Sequence, residues 1–343
     1  MAYETGTASD QTDLMSKLNT FAAANGYTTD YYNGSTNFLA LSRVADALYV
    51  TFAWDDINTI AMYQALGYSG GSAETPWNQL NDSGNGNDTI PSLIDRGRQV
   101  SRIGAGPFTK YYFYAYTSPA YAIHIVLEFA PGLYRHFGFG RLQKTGTWIG
   151  GAWCAGHLWN PGSNYSAYSD VNSAHHSILL DGLCAASGDH AAYSADAYGT
   201  LHVENLPGQP SGGKWGVSGF PNLSDSQVGS DRGSTDRVRI AGGMRGGMAV
   251  SQWAPYMPDL SNGFVPIIPI EVFYLRDQLG ANGYYYLGRM PNIGLIHLLG
   301  IDPAQEITIG ADTWTAFPGV RKSSVGGTNQ ESENMGIFYK KVM

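Results

Sequence analysis

The stretch from Lys110 to Gly151 constrains the fold more than any other part of the chain. From Tyr121 the odd positions are Tyr121, Ile123, Ile125, Leu127 and Phe129, and the even ones are Ala122, His124, Val126 and Glu128. Side chains alternate faces along a strand, so the run predicts a strand with one strongly apolar face. Ala130-Pro131-Gly132 supplies turn chemistry. A second run follows, with Phe137 and Phe139 in phase. Closed by a three-residue loop, the two runs form a hairpin in which Ile125 faces Phe137 and Ile123 faces Phe139. His124 then lies opposite Gly138 and Ala122 opposite Gly140, where glycine lets a bulky neighbour or another backbone come close. The hairpin is expected in the middle of the main sheet.

Around it the chain reads as a mainly β protein of the α+β kind. Antiparallel sheets or a β-sandwich are expected, with an N-terminal helix and a long irregular Gly-rich insertion. Ser9 to Gly26 predicts the helix. Ser9 or Asp10 caps it, Leu14, Leu18, Phe21 and Ala22 share one face, and Gly26 sits at C′. Tyr27 to Ser35 reads as turn-rich. Asn37 to Arg43 and Ala47 to Trp54 read as strands, Ile57 to Leu66 as a short helix, and Gly70 to Asp88 as loop. A strand around Gln99 to Ile103 leads into the hairpin. Further strands are expected at Thr235–Ile240, Met248–Trp253, Phe264–Leu275, Tyr284–Gly288, Ile293–Leu299, Glu306–Ile309, Thr313–Phe317 and Met335–Lys341. Three parts result: an N-terminal α+β unit over 1–105, a main β module from 106–149 and 234–343, and the insertion over 150–233. The insertion is rich in Gly, Ser, Ala, Asn and Asp, yet its Trp and Tyr residues argue against simple disorder.

Composition narrows the function classes. Charged residues make up 14% of the chain, against roughly 25% in ordinary soluble domains. Little charge with many Gly and Tyr fits short strands, many turns and a surface partly covered by neighbours. A formal net charge of -8 argues against nucleic-acid and anionic-membrane partners, either of which wants a basic patch. No 18-residue apolar run is present, so no transmembrane helix is expected. The N-terminus lacks the basic and apolar regions of a secretory signal, which points to synthesis in a cytoplasm.

No motif carries catalysis. Cys154 with His157, and Cys184 with His190, are candidate zinc ligands, but the Cys-x-x-His half is not a usual spacing, and buried thiols are the expected reading. No metal or other cofactor is expected. His175-His176 lies between Ser173 and Ser177, and with Asp181 or Asp189 a Ser/His/Asp set can be drawn, but no nucleophile elbow accompanies it. Gly208 to Lys214 resembles a phosphate loop until Trp215 takes the place of the hydroxyl residue. The carboxylates Glu128, Asp181, Asp189, Asp196, Glu204, Asp225 and Asp231 are scattered, whereas a glycosidase needs two across one cleft. An aromatic-rich β protein is also compatible with sugar binding.

Four places together resemble structural proteins of tailed-bacteriophage virions. One is Asp13-Leu-Met-Ser-Lys-Leu18 with Phe21 and Gly26-Tyr27. The second is Tyr134-Arg-His-Phe-Gly138 with Gly140, Leu142 and Lys144, followed by Gly150-Gly151. The third is Tyr286-Leu-Gly-Arg-Met-Pro291. The fourth is Asp312-Thr-Trp with Phe317-Pro318 and Asn334-Met-Gly-Ile-Phe-Tyr339-Lys-Lys. The resemblance implies a tail, baseplate or tail-tip component, made in the bacterial cytoplasm and located in the virion. Its implied partners are other virion proteins and copies of itself, with no nucleic acid and no membrane insertion. Trp153, Trp159, Tyr165, Tyr168 and Trp215 in the insertion are then the expected contact anchors, since Trp and Tyr dominate interface energetics. A receptor- or glycan-binding module of the same particle is the alternative, and a polysaccharide hydrolase a more distant one.

Overall fold

The computed structural model describes residues 1–56, 59–65, 68, 99–102, 104–156, 201–204, 215–218, 236–241, 266–276, 283–298, 300–318 and 335–341. The chain opens with β1 (Ala2–Ala8) and α1 (Gln11–Ala24), followed by β2 (Thr28–Asn33), β3 (Phe38–Arg43), β4 (Leu48–Trp54), β5 (Thr59–Ala65) and β6 (Gln99–Arg102). Next come β7 (Phe108–Tyr116), β8 (Ala122–Ala130), β9 (Leu133–Arg141), β10 (Gln143–Lys144) and β11 (Ala152–Ala155). Short strands β12 (Leu201–Glu204), β13 (Trp215–Ser218) and β14 (Asp236–Ala241) lead to β15 (Ile268–Arg276) and β16 (Gly283–His297). The last are β17 (Glu306–Ile309), β18 (Asp312–Pro318) and β19 (Met335–Lys341). The protein is mainly β, as its composition and periodicity predict.

Strands β2 to β6 form a five-stranded meander in chain order. The rest form a 14-stranded sheet in the order β1-β7-β8-β9-β11-β12-β13-β14-β15-β16-β19-β18-β17, with β10 paired to β16. Among the described residues every pairing is antiparallel except β13 with β14. The long sheet folds back on itself. Tyr112 and Tyr114 of β7 meet Phe317 of β18 and Tyr339 of β19, strands far from β7 along the path. Three layers result: the small sheet with α1, then β7–β9 and β11, then β15, β16, β19 and β18.

The expected hairpin is there, in the expected register, but its strands stand third and fourth along the path of the long sheet rather than in its middle. Ile125 pairs with Phe137, Ile123 with Phe139, His124 with Gly138 and Ala122 with Gly140. Its loop is Pro131-Gly132 rather than three residues. Ala130 pairs with Leu133, and a bulge between Glu128 and Ala130 absorbs the difference. The glycines are needed. A Cβ on Gly138 would lie 3.0 Å from Nδ1 of His124, and one on Gly140 would lie 2.5 Å from the carbonyl oxygen of Tyr121.

Helix α1 begins where Asp10 accepts a hydrogen bond from the Asp13 amide at 2.7 Å. It ends with the Tyr27 amide donating to Ala22 and the Gly26 amide to Ala23, Gly26 having φ +84°. That is the paired closure a C′ glycine allows. Leu14, Leu18, Phe21 and Ala22 are all buried, as predicted.

Several expectations are corrected. Ile57 to Leu66 contains strand β5, not a helix. Ile60 and Met62 are buried two residues apart, and the segment pairs with β4 and β6. Tyr27 to Ser35 contains strand β2, bulged between Thr29 and Tyr31. The strands expected at Tyr284–Gly288 and Ile293–Leu299 are one strand, β16, bent where Gly288 and Asn292 take φ +142° and +61°. The strand expected around Gln99 to Ile103 is β6, which closes one end of the small sheet. Within 150–233, strands β11, β12 and β13 extend the main sheet. The expected loop at Gly70–Asp88 and strand at Met248–Trp253 lie outside the described residues.

Candidate functional site

The central hairpin is buried on both faces, and the faces differ in chemistry. Ile123, Ile125 and Leu127 of β8 and Phe137 and Phe139 of β9 join Leu14, Leu18 and Phe21 of α1 and Phe52 of β4 in one apolar core. The opposite face carries His124 and His136. It meets an aromatic set made of Tyr112, Tyr114 and Tyr116 of β7, Trp153 of β11, Phe317 of β18 and Tyr339 of β19.

The two histidines are treated differently. His136 lies 2.9 Å from the Tyr339 hydroxyl through Nδ1 and 2.8 Å from the Pro318 carbonyl oxygen through Nε2. A carbonyl only accepts, so Nε2 carries the proton, and Nδ1 accepts from the Tyr339 O–H. One side chain of the middle layer thus ties β9 to both β18 and β19. Its ring lies stacked near that of Tyr339, 5.9 Å between centroids. The Tyr116 hydroxyl adds a further tie by donating to the Lys340 carbonyl at 2.9 Å. His124 is packed by Tyr116, Trp153 and Tyr339 at 5.2–5.7 Å between ring centroids. Among the described residues neither of its nitrogens has a hydrogen-bond partner, and the same holds for Nε1 of Trp153.

Burial sets the protonation states. It pushes both imidazoles from an ordinary 6.5 down to about 3, the neighbouring histidine adding to the effect at His124. It raises the phenols of Tyr114, Tyr116 and Tyr339 well above their ordinary value. At neutral pH the whole set is uncharged. His124, His136, Tyr114, Trp153 and Tyr339 are each fully buried, so these groups meet no dissolved substrate. What the arrangement does chemically is fasten one layer to another.

Of the anchors expected in the insertion, Trp153 is corrected: its indole is in the core between the layers and offers nothing to a partner. The residues around it hold the signal that would have placed it. Ala152 to Ala155 is a short apolar run between glycines, the pattern of a strand buried on both sides. Cys154 follows on the opposite face and is buried in the apolar core. Trp215 opens β13, opposite Glu204 of β12. Trp159, Tyr165, Tyr168, His157, Cys184 and His190 lie outside the described residues, as do the Ser173–Asp189 set and the Gly208–Lys214 loop. Among the described residues no group of three or more His, Cys, Asp or Glu is placed to hold a metal. Glu128 accepts from the Gly132 amide at 2.8 Å and so serves the hairpin turn.

Sequence reasoning missed two surface features. Val44 and Ile149 are 69% and 75% exposed. They flank a bridge in which Arg141 donates to the carbonyls of Asp46 and Gly150, so two loop tips carry aliphatic side chains on a fixed support. The second is the β17–β18 hairpin at the end of the long sheet, where Ile309 is 44% exposed. Compared with known proteins, the chain matches no family model and no curated sequence.

Proposed function

We propose that the chain is a structural subunit of a tailed-bacteriophage virion, placed in the tail or baseplate and acting through contacts with other virion proteins and with copies of itself rather than through catalysis. One observation carries the reading. Three of the four segments that resemble virion proteins converge on a single core: Tyr134 and Leu142 from β9 and the residues after it, Leu287 and Met290 from β16, and Phe317 and Tyr339 from β18 and β19. The resemblance therefore lies in the fastening between layers, the part that makes a rigid body. His136, Tyr339 and Tyr116 of that fastening use their polar groups within it. A low charge fraction and exposed aliphatic residues on supported loops and an edge hairpin suit a body covered by neighbours.

The test is serum against the recombinant chain, visualised with gold on intact particles from the lysate in which the protein is made. Label at the tail or its tip is the expected result. Label only on protruding fibres moves the assignment to a receptor- or glycan-binding module. Protein free in the lysate, with no particle labelled, overturns the virion assignment.

A further inference from the structure

Strand β17 ends the long sheet, so one of its backbone edges has no neighbour among the described strands. Proteins guard such edges with lysine, proline or an inward-pointing charge. Glu306-Ile-Thr-Ile309 has no lysine or proline, and its one charged residue is Glu306. Its one acid is held back on its own sheet, Glu306 accepting from Lys341 at 2.7 Å. Asp312, across the turn, is held the same way by Lys340 at 2.8 Å. The edge is left electrically neutral. On the outer face Ile307 and Trp314 pack against a small cluster containing Ile296, Leu298 and Phe338. Ile309 continues that apolar row into solvent.

We infer that β17 is a self-pairing edge whose occupant is β17 of a second copy of this chain, joined antiparallel about a two-fold axis through Thr308. The sequence is palindromic in the sense this requires. Centred on Thr308, the pairing sets Thr308 against Thr308, Ile307 against Ile309 and Glu306 against Gly310. β-branched and Thr–Thr cross-strand pairs are favourable, and like charges do not meet. The four isoleucines form one apolar strip bounded by the two Trp314 rings. A contact of this kind uses the same patch on both subunits and closes on itself. The inference rests on the reading of the chain as a subunit that contacts its own copies, and gives that contact a place.

The test is the mass of the purified full chain by light scattering, beside the variants Ile309→Lys and Thr308→Pro. A dimer that both substitutions reduce to monomer is expected, with far-ultraviolet circular dichroism unchanged for Ile309→Lys, an exposed site. A second measurement uses Thr308→Cys. Cα atoms of a hydrogen-bonded antiparallel pair lie about 5.5 Å apart, within disulfide reach, so mild oxidation is expected to give a covalent dimer that reductant reverses. A monomeric wild-type chain overturns the inference, as does an oligomer unaffected by both substitutions and not captured by Thr308→Cys. In either case gold labelling of particles still decides the virion assignment separately.

Discussion

The two faces of the central hairpin solve one packing problem in opposite ways. On one face, Ile123, Ile125, Leu127, Phe137 and Phe139 bury hydrocarbon in a core that holds no histidine. On the other, two histidines and two tyrosines, Tyr114 and Tyr339, are sealed in at zero exposure. The first face gains its stability from area and is indifferent to direction. The second has polar groups that must find partners or remain costly. His136 finds two and thereby fixes how the third layer sits on the second; His124 packs against aromatic rings and has no hydrogen-bond partner among the described residues. Apolar burial holds layers together, while a bonded polar side chain specifies how they align.

Acid should separate the two faces most strongly. Both histidines titrate near 6.5 when unfolded and near 3 when folded. Below pH 6.5 the unfolded chain therefore binds more protons than the native one, and stability falls as pH falls through that window. Each histidine costs about 1.4 kcal/mol per pH unit there. Denaturant titrations between pH 7 and 4 should show a loss of several kcal/mol. A chain equally stable across that range would mean that the histidines are not sealed.

Phe139→Ala attacks the other face. Its ring is fully buried, with those of Tyr27 and Phe52 at 5.5 and 5.7 Å. The loss should be about 3–5 kcal/mol, read from the denaturant midpoint, with the acid dependence unchanged in slope.

Two substitutions then sharpen the contrast between the histidines. Tyr339→Phe removes the donor to Nδ1 of His136 and should cost about 1–3 kcal/mol. His124→Leu removes two nitrogens that have no partner among the described residues, at similar volume. It should raise stability at pH 7 by an amount in the same range of about 1–3 kcal/mol, while lowering the acid slope, to which His136 and His297 still contribute. Equal losses from both would show that His124 is as well served as His136.

The hairpin was legible because its period of two, its turn residues and its glycines all agree, and a one-residue slip would have turned every side chain to the wrong face. Segment 57–66 was not, because Ile60, Tyr63 and Leu66 at spacing three compete with Ile60 and Met62 at spacing two, and only pairing with β4 and β6 decides between them. Strand β1 escaped notice because Ala2 to Ala8 has little hydrophobicity of its own, and its partner β7 lies about a hundred residues on. The aromatic face was half legible. His124 could be placed opposite Gly138, but β18 and β19, which supply Phe317 and Tyr339, enter through a fold-back of the sheet that no local pattern encodes. Trp153 was misplaced although its short apolar run marks a strand buried on both sides; only which layer covers it is a property of the assembled sheet.

The smallest expected effect lies at the rim, where Lys341 pairs with Glu306 and its ammonium stands 4.5 Å above the ring of Tyr3. Lys341→Gln should cost under about 1 kcal/mol, and less in high salt, because Glu306 is half exposed and water screens the pair. Its value lies in what it leaves alone. The fastening by His136 and Tyr339 lies two residues away along the same strand but inside the core, so the acid dependence should be unaltered. A large loss from Lys341→Gln would mean that the layers are clamped from their rim. A small one, beside a costly Tyr339→Phe, places the alignment of the layers in the buried polar bond.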